Sequence, residues 1–179
     1  MGDTPSRVVL VGFMGSGKSA VGRALARRLG YRFDDMDRRI ERRTGRSIPS
    51  IFQESGEEVF REEECREARA LANARNRVVA TGGGAFVRTE TREALCAGAL
   101  TVWLECNLET ALSRIPKDGS RPKAGNHVIM RALLAEREPS YRLADLVVDT
   151  SRDTTPGGVA GRVVDLIQRR SAKDRTAER

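Results

Sequence analysis

The chain has 179 residues, 39% apolar and 32% charged, with a formal charge of +7. That length fits one α/β domain with no second core, and no apolar stretch approaches the ~20 residues that span a bilayer. With five Phe, two Tyr and one Trp there is no run of basic and aromatic residues to stack bases, so the charge points to a cavity for small anions and excludes nucleic acid as the partner.

Arg7 to Gly12 carries the continuous apolar run Val8-Val9-Leu10-Val11, the pattern of a strand buried on both faces. From Lys18, the residues Val21, Leu25, Ala26 and Leu29 recur at helical spacing, and Gly30 is placed to end that helix. Tyr31 to Asp35 reads as a short second strand and Asp37 to Thr44 as a helix ending near Gly45. Ser55-Gly56-Glu57-Glu58 has the form of a capping box opening a long polar helix to about Arg75. Apolar runs at Arg77 to Thr81 and Leu100 to Leu104 flank a helix-like segment from Thr89 to Ala97. Asn107 caps the next helix, and Pro116 to Asn126, with its Lys, Gly, Ser, Arg and Pro, reads as a mobile loop and a candidate lid. His127 to Asp145 is expected to be helical with an interruption near Pro139, Leu146 to Asp149 is a fifth strand, and Thr155-Pro156 starts a final helix. One domain is expected over residues 1–170, followed by a disordered basic tail over 171–179. Strands alternating with helices through right-handed crossovers give a three-layer α/β fold, a five-stranded parallel sheet with helices on both faces. Ligands then gather at the carboxyl ends of the strands.

Cys65, Cys96 and Cys106 are an odd number without metal-ligand spacing and read as reduced thiols, and His127 stands alone. Met1 to Arg7 lacks the apolar segment of a secretory signal, so a cytoplasmic location is expected.

The most specific signal is Gly12-Phe13-Met14-Gly15-Ser16-Gly17-Lys18-Ser19, which matches G-x-x-x-x-G-K-[ST] between an apolar run and a helix. Glycines at these points let backbone amides turn toward phosphate oxygens, and the following helix adds its positive end. The cradle spans Gly15, Ser16, Gly17, Lys18, Ser19 and Ala20; Lys18 supplies charge to the outer phosphates and Ser19 an oxygen for Mg²⁺. A P-loop alone does not choose among GTPases, ATPases and kinases. No N-K-x-D motif reads guanine, and the strand Val78-Val79-Ala80 ends in Thr81-Gly82-Gly83-Gly84 where a transporter-type ATPase carries acidic residues. A kinase remains. Asp35 and Asp37, two residues apart after the second strand, can divide metal and acceptor work between them, or simply favour a helix N-terminus.

With these residues the chain resembles the shikimate kinases from about Arg7 to about Arg170. The resemblance rests on the P-loop, Asp35-Met36-Asp37, Phe60-Arg61-x-x-Glu64, Gly82-Gly83-Gly84, Arg121-Pro122 and Arg137-x-Pro139-x-Tyr141, in the family's order. It implies a cytoplasmic, monomeric kinase that takes MgATP and shikimate, uses one Mg²⁺ per site, and makes shikimate 3-phosphate for aromatic amino-acid biosynthesis. It further implies Asp35 with Ser19 on the metal side, Asp37 at the attacking hydroxyl, and Arg61, Arg137 and Gly82 to Gly84 around the acceptor. Arg121 would close over the phosphates, while Arg114 and Arg152 would face adenine. Ile48, Phe52, Phe60 and Glu64 would line the acceptor pocket. Two residues depart from the family's pattern: Lys123 follows Arg121-Pro122 where leucine is usual, and Asp34 stands where an apolar residue is commoner. Lys123 leaves open a second reading, a kinase for a related acid such as aminoshikimate or gluconate. A nucleotide-binding regulatory module without turnover is a third.

Overall fold

The computed structural model describes residues 4–115, 126–151 and 155–177, with side chains as far as residue 173. The element order is β1 (Arg7–Val11), α1 (Lys18–Leu29), β2 (Arg32–Asp35), α2 (Met36–Thr44), α3 (Ile48–Leu71), β3 (Arg77–Ala80), α4 (Thr89–Cys96), β4 (Leu100–Glu105), α5 (Leu108–Ser113), α6 (His127–Tyr141), β5 (Leu146–Asp149) and α7 (Pro156–Ala177). The five strands form one parallel sheet in the order β2-β3-β1-β4-β5.

Every residue of β1 is buried, because side chains alternate between two covered faces. Val9 and Val11 enter a core with Ala68, Leu71, Leu95, Met130 and Tyr141, from α3, α4 and α6. Val8 and Leu10 enter the opposite core with Val21 and Leu25 of α1 and Val159, Val163 and Ile167 of α7. The expected three-layer α/β architecture is the one observed, and the parallel direction brings all strand ends that precede the P-loop, Asp35, Thr81, Cys106 and Thr150 to one edge.

Several boundaries differ from those read in the sequence. Residues Ile48 to Ser55 are helical, capped by Ser47, whose side chain accepts from the Ser50 amide at 3.3 Å. Gly56 then interrupts α3 with φ 85° and ψ 173°, a conformation open essentially to glycine alone, and the helix resumes after it. The side chains expected to form a capping box bond elsewhere, Ser55 Oγ accepting from Arg46 at 3.1 Å and Glu58 Oε1 from Arg88 at 2.7 Å. The helix ends at Leu71 rather than Arg75. Pro139 lies within α6, near its end, without interrupting it. The tail expected to be disordered from Ser171 continues as helix to Ala177, because α7 propagates from a buried apolar stripe at Val159, Val163 and Ile167. Apart from Asn126, which caps α6 through the Val128 and Ile129 amides, the lid segment falls outside the described residues, and so do Arg121, Lys123 and Arg152. Among the described residues, no helix is long and apolar enough to cross a membrane.

Candidate active site

The phosphate cradle forms where β1 hands over to α1. A Cβ on Gly15, at φ 79°, would run into the Ala111 carbonyl of α5, so only glycine lets the loop lie this close. Thr150, just after β5, braces the same loop by donating its hydroxyl toward Ser16 O at 3.3 Å and Glu105 O at 2.9 Å. Ser16 is buried, and its Oγ has no hydrogen-bond partner among the described residues. The Lys18 ammonium donates to Gly12 O and Phe13 O, both at 2.8 Å, which holds it across the loop it is expected to serve. Ala20 lies half-buried in the first turn of α1, behind Lys18 and Ser19.

Ser19 Oγ donates to Asp35 Oδ2 at 2.6 Å, bringing together two side-chain oxygens from separate elements. Asp35 also caps α2, its Oδ1 accepting from the Arg38 amide at 3.4 Å. This all-oxygen pair beside the phosphate cradle suits a hard cation such as Mg²⁺.

On the other side of the cradle, the glycine triplet after β3 draws four charged side chains together. A Cβ on Gly82 would stand 2.5 Å from Glu64 Oε1 and 2.8 Å from Asp37 Oδ1. One on Gly84 would stand 2.7 Å from Arg61 Nη2, and one on Gly83 would lie 3.5 Å from both Arg137 Nη1 and the Met14 amide. Side chains at these three positions would fill the space where the arginines and carboxylates meet the P-loop. Tyr141, one turn beyond Arg137, donates its hydroxyl to Gly83 O, and burial pushes its pKa up to about 12. Arg61 donates from Nη1 to Glu64 Oε2 at 2.6 Å and from Nη2 to Glu57 Oε1 at 2.7 Å. Burial pushes the Glu64 carboxyl up to about 7, with Arg61 opposing and Asp37 adding to the rise.

The apolar wall is built from α2 and α3. Phe60 is buried with Ile40 and Ile51, Ile48 packs against them, and the Phe52 ring centroid lies 4.7 Å from that of Phe60, with Phe52 itself exposed. At the far end, Arg114 Nη2 donates to Thr150 O at 2.9 Å, which fixes it beside the ends of β4 and β5.

The chain is similar to known proteins over most of its length. The shikimate kinase family model matches residues 14–168. The chain belongs to the shikimate kinase family. It is 49% identical to a shikimate kinase from Geobacter sulfurreducens over 147 residues, covering 80% of this chain and 81% of that one. Identity to the enzyme from Methylococcus capsulatus is 40% over 173 residues, covering 94% and 96%. The solved structure of shikimate kinase from Acinetobacter baumannii in complex with shikimate superposes with a TM-score of 0.88 at 37% identity, over 93% of this chain and 95% of that chain.

Within this shikimate kinase fold, the predicted acceptor residues Asp37, Arg61, Gly82, Gly83, Gly84 and Arg137 come together at the end of β3. Sequence reasoning gave Glu57 no role, although its i,i+4 spacing to Arg61 was a usable signal. Tyr141 appeared only as part of a motif; nothing local announces that its hydroxyl reaches back to Gly83.

Proposed function

We propose that this protein transfers the γ-phosphoryl group of ATP to the 3-hydroxyl of shikimate, giving shikimate 3-phosphate and ADP in aromatic amino-acid biosynthesis. The observation that carries this reading is the position of Gly83, where an added Cβ would lie 3.5 Å from both an Arg137 nitrogen and the Met14 amide of the P-loop. An acid held by Arg61 and Arg137 would then lie within reach of a phosphate held by the P-loop, and such positioning supplies most of the catalysis in phosphoryl transfer.

In this reading the amides of Gly15 to Ala20 and the Lys18 ammonium hold the β and γ phosphates. Ser19 and Asp35 would hold one Mg²⁺, which would supply positive charge to neutralise the phosphates. Arg61 and Arg137 grip the acceptor carboxylate as paired guanidinium donors, against the wall of Ile48, Phe52 and Phe60. Asp37 accepts a hydrogen bond from the attacking hydroxyl. As the new oxygen–phosphorus bond forms and the bond to the ADP oxygen breaks, the hydroxyl proton passes toward Asp37. Arg121 adds positive charge at the transferring group, with Arg114 and Arg152 toward adenine. The enzyme acts as a cytoplasmic monomer on these small molecules.

Coupled ADP release with shikimate, aminoshikimate and gluconate run in parallel tests the reading. Shikimate should give the highest kcat/KM, and Lys18→Ala should lower it by roughly 10²- to 10³-fold while the fold survives. Preference for another acid would reassign the substrate, and near-normal turnover in folded Lys18→Ala would sink the P-loop assignment.

A further inference from the structure

Arg61 is held by two carboxylates of different character. Its Nη1 donates to Glu64 Oε2 at 2.6 Å and its Nη2 to Glu57 Oε1 at 2.7 Å. Glu64 is sealed in the site, with 1% of its side chain exposed, whereas 57% of the Glu57 side chain faces solvent. Both terminal nitrogens of the fork that would grip an acceptor carboxylate therefore already carry carboxylate oxygens. An incoming acid meets one glutamate that is buried and one that is largely exposed.

We propose that Glu57 is an internal stand-in for the substrate carboxylate: it holds the Arg61 fork while the acceptor site is empty and is displaced from Nη2 when the acid binds. This role rests on the acceptor reading of Arg61 given above. An exposed i,i+4 ion pair is the kind that costs little to break, since water and salt take over its charge. The nitrogen it occupies faces the glycine triplet, 2.7 Å from where a Gly84 Cβ would stand, and so lies at the acceptor end of the pocket. Its neighbour Glu58 pairs instead with Arg88 at 2.7 Å, so contact with Arg61 is particular to Glu57. Once a substrate carboxylate joins Glu64 and Asp37 around Arg61 and Arg137, a further carboxylate on Arg61 repels it. Glu57 thus lowers affinity for the acid while keeping the empty fork ordered.

The test measures shikimate and ATP KM in the intact chain for the wild type, Glu57→Gln and Glu58→Gln, at low and high salt. Glu57→Gln should lower the shikimate KM roughly twofold to tenfold and leave the ATP KM unmoved. The difference should shrink at high salt, where exposed charges are screened. Glu58→Gln, which removes the same charge one residue away, should change neither constant, and the KM for shikimate methyl ester should be the same in all three proteins. An unchanged or raised shikimate KM in Glu57→Gln, or an equal fall in Glu58→Gln, overturns the stand-in role alone. A wild type that releases no ADP with shikimate overturns the proposed function and this role with it.

Discussion

Glu64 is the residue whose chemistry depends most on its surroundings. Burial raises its carboxyl from the ordinary 4.5 to about 7, so both protonation states are populated near neutral pH. When protonated it no longer offsets the positive charge of Arg61, and an anionic acceptor should bind more tightly. The shikimate KM is therefore expected to rise several-fold between pH 6 and 8, and to lose most of that rise in Glu64→Gln. Steady-state KM against pH in both proteins checks this; identical profiles would place the titration elsewhere. The same shift acts on folding. The folded chain holds this proton more tightly than the unfolded chain, so the contribution to stability falls as pH rises from about 4.5 through about 7. Urea melts across that window should show a shallower fall in Glu64→Gln.

At the scale of elements, α2 and α3 carry most of the residues proposed for the acceptor side, and a chain of charges fixes them to the sheet. Asp34 of β2 is buried and accepts from Arg39 of α2 and Arg77 of β3, each at 3.1 Å. Arg39 and Arg43 both reach the buried Glu67 of α3 at 2.8 Å, and Arg43 also pairs with Glu63. Asp34, the charged residue where an apolar one is commoner, is thus the sheet anchor of a network that links α2, which carries Asp37, to α3, which carries Arg61. Glu67→Gln weakens two ion pairs at once and should cost about 2 kcal/mol of stability. It should also raise the shikimate KM while sparing the ATP KM, because the P-loop stands outside the network. Denaturant melts and a two-substrate kinetic analysis measure both effects, and an equal rise in the two KM values would mean that the network does not position the acceptor helices.

Across the whole molecule, one buried cation ties the helices under the sheet to its central strand. Arg7 opens β1, only 2% exposed, and donates to the Leu71 and Ala72 carbonyls ending α3 and to the Leu95 and Ala97 carbonyls ending α4. The negative ends of two helices share this guanidinium in place of a carboxylate partner, and burial lowers its pKa. Arg7→Met keeps the bulk of the side chain but strands those carbonyls, for an expected loss of about 3 kcal/mol. Because Arg7 sits at the end of β1 opposite the P-loop, kcat per folded molecule should stay the same. Urea unfolding beside the ADP assay separates the two effects; wild-type stability would show that the carbonyls find other donors.

What the sequence determined by itself was the order of elements, the parallel sheet and the phosphate cradle. Strands buried on both faces are written as continuous apolar runs, and a P-loop is a backbone device whose glycines and lysine must be adjacent in the chain. Resemblance to a family added the acceptor residues, which no local pattern singles out. Only the tertiary structure decided how Arg61 is shared between Glu57 and Glu64, why Asp34 is charged, and where the guanidinium of Arg7 goes. It also made a helix of Ile48 to Ser55, a segment that reads as an unassigned stretch before Gly56 until Ile51 is packed against Ile40 and Phe60. The physical reason is range: apolar periodicity and turn chemistry act between neighbours in the chain, whereas a charge chooses its partner by where the fold leaves it with least water.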